Sequence, residues 1–269
     1  MFKTVIPSAL IALTAVAVNS CSGSSTVDTI EFETRTDSVG YLVSDYYGDS
    51  VYSASRYSVV WPKLISEQDY NAISDSLTMV TFGVKADNFA EAANIFTRAG
   101  LNDLTQDPDS GSRAYEVVPF ETAYDARRTN IDLISSEITL LTPDMLVVAV
   151  NTYTYYYGAA HGMIWRRFLN YSIKNHELMT VANTFASGNE KAILSLITAS
   201  ALKRYPDDGV LFDAPIEQFD NFQITDNDIV FVYQPYEIGP YSSGIIEIPV
   251  SQQDLYRFLT PAAIAALNL

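Results

Sequence analysis

The run Met145-Leu146-Val147-Val148-Ala149-Val150 places six apolar residues in succession. A strand alternates its side chains between two faces, so a run without a polar member must be covered on both of them. It reads as the central strand of a sheet. Outward from it, Asn151 to Tyr157 continues the extended pattern, and Tyr153, Tyr155 and Tyr157 fall on one face by the same alternation. Ile131 to Leu141 before it and Met163 to Ile173 after it also have strand character, and Lys174-Asn175-His176-Glu177 reads as the turn of the next hairpin.

Further out, Val27 to Arg35, Val51 to Trp61 and Tyr115 to Asp125 alternate as strands, and Asp107 to Gly111 reads as a loop. Ser66 with Asp69 forms a capping-box pattern that opens a helix to about Leu77. A second helix is expected from Asn88 to Arg98, stopped near Gly100. In the last third, Asn189 is positioned to cap a helix to Arg204, with Ile193, Leu194, Ile197, Ala201 and Tyr205 on its apolar side. Phe222 to Ile224, Ile229 to Tyr233 and Gly244 to Val250 read as strands, and Ser251 with Asp254 and Thr260-Pro261 each begin a helix. Helices interrupt hairpin-linked strands rather than alternating with them. The fold class is α+β, not a doubly wound parallel sheet.

The chain has 269 residues, 32 Asp and Glu against 16 Lys and Arg, and a formal net charge of −16. That balance opposes nucleic-acid backbones as a partner. One cysteine forms no internal disulfide, and two histidines build no Cys/His metal site, so neither a metal nor another cofactor is expected. With 48% hydrophobic residues the chain can bury a core.

The cysteine is informative by position. Lys3, an apolar run from Val5 to Val18, and small residues before Cys21 form a secretory leader over residues 1–20. The run is shorter than the roughly 20 apolar residues of a spanning helix. Val18 at −3, Ser20 at −1 and Cys21 at +1 match a bacterial lipoprotein signal. The expectation is a chain lipidated on Cys21, with residues 21–26 as a tether, held on the envelope membrane, the outer one facing the periplasm rather than the inner one. The bland alternative is an ordinary leader followed by an incidental cysteine. Loss of Lys3 would leave fifteen basic residues against 32 acidic, a charge of −17.

No nucleophile elbow, phosphate loop, dinucleotide fingerprint, zinc-protease or calcium-loop motif is present. His176 falls in a polar turn, where an exposed and idle side chain is expected. His161 follows Tyr157-Gly158-Ala159-Ala160 and precedes Gly162, at the end of a long strand. It fits three roles: locking the turn, contacting a ligand, or acting as a base in a hydrolase or esterase. The segment Gln234-Pro235-Tyr236-Glu237-Ile238-Gly239-Pro240-Tyr241 interrupts a strand pair. Tyr236, Glu237 and Tyr241 suit recognition, since tyrosine gives contact area at low entropy cost, and suit core closure equally. The ligand-binding candidates are His161, Tyr157, Tyr236, Glu237 and Tyr241, with none assigned as catalytic.

Two of these stretches carry a resemblance. The hairpin Asn151 to Gly162 resembles a Tyr-x-Gly-Gly-Ala-His-Gly signature. Phe222, Ile229 to Tyr241, Gly244 and Ile248-Pro249 resemble an ending of nonpolar strand, Pro-Tyr-Glu-Ile-Ala-Pro-Tyr, Gly, Ile-Pro. Ile173 to Phe185 fits the link between the two, and Trp61-Pro62-Lys63-Leu64 resembles an early Tyr-Pro-x-Leu. Together they are similar to a paired-domain envelope family that includes the extracellular, lysozyme-sensing part of the anti-sigma-V factor and the non-catalytic region of a peptidoglycan deacetylase. Ala159 replaces the second glycine, Gly239 replaces an alanine, and residues 174–177 lack the usual Thr-Gly-Lys turn.

The resemblance implies two small domains, residues 27–178 and 179–269, each with an antiparallel or mixed sheet and packed helices. It also implies non-enzymatic binding, with lysozyme-like hydrolases or peptidoglycan as partners. A structural or assembly lipoprotein of the envelope is the remaining expectation.

Overall fold

The computed structural model describes residues 30–46, 49–107, 111–206 and 209–269. The expected leader, Cys21, the tether and Val27 to Thr29 lie outside the described residues, as does 108–110 of the expected loop.

Strands β1 (Glu31–Tyr46) and β2 (Asp49–Leu64) pair as a long antiparallel hairpin. Helices α1 (Glu67–Phe82) and α2 (Phe89–Thr105) follow. Both start as their caps direct: Ser66 Oγ accepts from the Asp69 amide, and Asn88 Oδ1 from the Glu91 amide. Gly100 does not stop α2. It lies within the helix at an exposed position, and Leu101 and Leu104, buried against Val43, hold the last turn in place.

A minor pair, β3 (Gln106–Asp107) with β4 (Gly111–Ser112), leads to β5 (Tyr115–Val118) and α3 (Phe120–Tyr124). The strand expected over Tyr115 to Asp125 therefore ends early. Pro119 has no N–H to continue a ladder, and Phe120 and Ala123, three apart, turn together onto Ala54.

The central meander is β6 (Thr129–Leu141), β7 (Met145–Tyr155) and β8 (Met163–Ser172), closed by β9 (Glu177–Leu178). The large sheet has the order β5-β1-β2-β6-β7-β8-β9, all antiparallel except the β2–β6 junction. Then come α4 (Val181–Thr184), α5 (Glu190–Arg204), β10 (Phe222–Ile224), β11 (Asp228–Tyr233), β12 (Ile246–Ser251), α6 (Gln252–Leu255) and α7 (Pro261–Leu267). Strands β10, β11 and β12 form a separate antiparallel sheet. The α+β class stands.

Residues 145–150 are all buried, and the alternation sorts them between two cores. Leu146, Val148 and Val150 pack with Trp61, Ile73, Leu77 and Phe89, under α1 and α2. Met145 and Val147 pack on the other face with Ile193, Ile197, Phe231 and Ile248, from α5 and the small sheet. The expected boundary between residues 178 and 179 falls at the end of β9.

Side-chain amides join the small sheet to the large one. Asn170, 3% exposed in β8, donates from Nδ2 to the Phe222 carbonyl (2.8 Å) and accepts the Ile224 amide on Oδ1 (2.9 Å). It thereby imitates a neighbouring strand for β10. Gln234 does the same for β8: Oε1 accepts the Arg166 amide and Nε2 donates to the Arg166 carbonyl, both at 2.8 Å. These groups would otherwise be buried without partners, at a cost of about 1–3 kcal/mol each.

Candidate functional site

Two loops converge at one end of β7 and β8. The first is the β7–β8 connection, residues 156–162, which carries His161. Gly162 is required there by contact, since a Cβ on it would stand 2.5 Å from the Tyr153 ring. The second is the β11–β12 connection, residues 234–245. Here Glu237 Oε2 accepts the Gln234 amide (2.7 Å) and the Tyr236 amide donates to the Gly239 carbonyl (3.0 Å). The tight turn forces Tyr236 to φ 75°, a conformation that costs a non-glycine residue about 1 kcal/mol or more. Gly239 also has no room for a side chain, because a Cβ would lie 2.3 Å from the Val210 carbonyl. Glycine in place of the family-like alanine thus lets the 209–212 segment pack on the loop.

The loops meet through aromatic rings. His161 stacks on Tyr241 at 3.8 Å between ring centres, with Tyr236 beside both at 6.3 and 5.8 Å. The Tyr241 hydroxyl donates to the Gly162 carbonyl (2.7 Å), and His161 Nδ1 lies 2.9 Å from the same oxygen. A carbonyl only accepts, so Nδ1 carries the proton. In the neutral ring Nε2 then accepts from the Tyr236 hydroxyl at 3.1 Å. Both ring nitrogens are occupied, and among the described residues no Ser, Asp or Glu side chain bonds to the ring. His161 and Tyr236 remain exposed, the latter by 52%.

Three of the five candidate residues, His161, Tyr236 and Tyr241, thus form one surface. Glu237 instead caps its own loop. Tyr157 is 44% exposed but lies apart from the cluster, its amide on Asn130 Oδ1 (2.7 Å) and its ring 5.7 Å from the Arg128 guanidinium.

His176, expected to be idle, is engaged. Its Nδ1 lies 2.9 Å from Asp69 Oδ1, which also accepts from the Tyr171 hydroxyl (2.6 Å), while Ser66 Oγ donates to Oδ2. Burial alone would raise the Asp69 carboxyl; the Ser66, Tyr171 and His176 hydrogen bonds outweigh it and hold the group below its ordinary value. The sequence signal was Asp69 at the third helical position, which points to a cap but not to partners 102 and 107 residues away.

Among the described residues no group of three or more His, Cys, Asp or Glu could hold a metal ion, and no helix is long and apolar enough to cross a membrane.

The β11–β12 loop and the small sheet fall inside a recognisable family region. Residues 182–253 match the family model DUF3298, described as a protein of unknown function. The DUF3298 match takes in Tyr236 and Tyr241 but not the hairpin that presents His161. Solved DUF3298 proteins extend the likeness over most of the chain. A family member from Bacteroides fragilis NCTC 9343 superposes with a TM-score of 0.65 at 19% identity, over 87% of this chain and 97% of that one. A DUF3298 family protein from Pseudomonas aeruginosa PAO1 does so with a TM-score of 0.54 at 16% identity, over 85% and 95%. At these identities the likeness establishes the fold. No curated protein matches the sequence.

Proposed function

We propose that this chain is a lipid-anchored binding protein of the bacterial cell envelope, attached through Cys21 to the outer membrane on its periplasmic side. It recognises a basic envelope partner of the lysozyme-like hydrolase class through the His161, Tyr236 and Tyr241 surface. The observation that supports this reading is the site itself: three rings clustered on two braced loops, His161 and Tyr236 exposed, with both histidine nitrogens already bonded. Such a surface offers rigid contact area rather than a base awaiting a substrate proton. The resemblance to the lysozyme-sensing family and the acid excess support the same partner, because opposite net charge steers association.

The test is calorimetric titration of residues 27–269 with hen lysozyme at low and moderate salt. Saturable binding that weakens with salt, and weakens further in Tyr236→Ala, is the expected outcome. Absence of binding at low salt removes lysozyme-like partners from the proposal. Crosslinking from position 236 in cells would then report whether another envelope protein occupies the surface.

A further inference from the structure

A groove of about 660 Å³ crosses the face of the large sheet between α3 and the β12 end of the small sheet. Strand register places its floor residues in two parallel rows. One runs Arg56, Leu133, Tyr153, Ile164 across β2, β6, β7 and β8. The next runs Ser58, Ser135, Asn151, Arg166 across the same four strands. This is the face on which Met145 and Val147 are buried further along β7. One row here is wholly polar where packing would call for apolar side chains, beside a row that is half apolar and half amphipathic. Four strands at about 4.8 Å spacing make each row about 14 Å long.

The groove's charges are paired before any ligand arrives. Arg56 bonds Glu121 (2.7 Å) at the α3 end and lies 3.8 Å over the Phe120 ring. Arg166 bonds Glu247 (2.8 Å) and, through Nε, Asn151 Oδ1 (2.7 Å) at the other. Two cations face two anions, with Asp125 also on the wall, so nothing favours an anionic ligand, and the net charge of −16 opposes one. Among the described residues the Ser58 and Ser135 hydroxyls and the Asn151 amide nitrogen have no hydrogen-bond partner, and they line one long edge. On the wall Tyr124 stacks on Phe120 at 5.3 Å and keeps 42% of its surface exposed. The floor is the face of a sheet, so no strand edge is available to pair with a peptide backbone.

We propose that this groove binds a short neutral oligosaccharide, its pyranose faces against Tyr124 and the Tyr153 row, its hydroxyls along the Ser58–Ser135–Asn151 row. A pyranose has this division, with apolar C–H faces and polar edges, and the volume lies in the range of ligand sites. The groove adjoins the His161 loop through Tyr153 but is lined by none of His161, Tyr236 and Tyr241, so a failed lysozyme titration leaves it standing and its own failure leaves the lysozyme reading standing.

The test is calorimetric titration of the full chain, in a detergent without a sugar head group, with chitotriose, cellotriose and maltotriose, and with trigalacturonate as anionic comparison. Saturable binding of at least one neutral trisaccharide, without binding of trigalacturonate, is expected. Ser135→Phe, at an exposed position that fills the polar row, should abolish it, and Tyr124→Ala should weaken it about tenfold. No neutral trisaccharide binding, binding of trigalacturonate alone, or binding untouched by both substitutions overturns the proposal.

Discussion

Single residues carry the sharpest stability consequences. Asp69 is 2% exposed and holds Ser66, Tyr171 and His176 together, joining α1 to β8 and its turn. Asp69→Ala would leave the Tyr171 hydroxyl, on a residue of 0% exposure, without an acceptor, and should cost on the order of 3 kcal/mol in urea unfolding. Because the folded carboxyl titrates below its unfolded value of 3.8, its contribution is present above that pH and is lost as pH falls through the folded value. Asp132 has the opposite sign. Burial pushes its carboxyl up to about 6, so the charged form burdens the folded state above pH 6 by on the order of 3 kcal/mol, and the burden vanishes as pH falls through the unfolded value of 3.8. Asp132→Asn should therefore raise Tm above pH 6 and change it little in strong acid, as followed by circular dichroism. At Tyr236 the backbone and the ring have separate consequences: Tyr236→Gly relieves the positive φ and should keep or raise Tm, while partner binding falls as in Tyr236→Ala.

At the scale of elements, the joint between the sheets rests on few groups. Replacing Asn170 by Leu removes both hydrogen bonds to β10 and leaves two backbone groups unpaired, at about 2–4 kcal/mol. Hydrogen exchange should show the loss concentrated in residues 222–224 rather than in α1 or α2. Elements were legible in the sequence wherever a local signal decided them. The apolar run of β7, the caps at Ser66, Asn88, Ser251 and Thr260, and the small-sheet strands all follow from residues within a turn of each other. Those decided by distant packing were not. Gly100 stays helical because β1 holds the following turn, and α3 exists because Ala54 receives Phe120 and Ala123. The site shows the same division. The motifs at His161 and Tyr236 are local, but their meeting, the separation of Tyr157, and the Asp69–His176 bond depend on how segments 75 to 107 residues apart come together.

For the whole molecule, β7 lends one face to each of the two main cores, so neither is complete without it. Heating should unfold both in one transition with coincident near- and far-ultraviolet signals, and two resolved transitions would show the cores to be independent. The net charge acts at this scale too, and the rate of association with a basic partner should fall steadily with ionic strength in stopped flow. The parallel seam between β2 and β6 has a further consequence, for the order of assembly. The β1–β2 hairpin and the β6–β7–β8 meander each form from neighbours in the chain. Joining Tyr52–Ser58 to Thr129–Ser135 instead requires closing the long excursion through α1, α2 and α3, and loop closure of that length makes it a late event. Both rows of the groove floor cross this seam, so the groove comes into being only when the two halves of the sheet zip together. A chain halted before that step would have its hairpins but no floor between them.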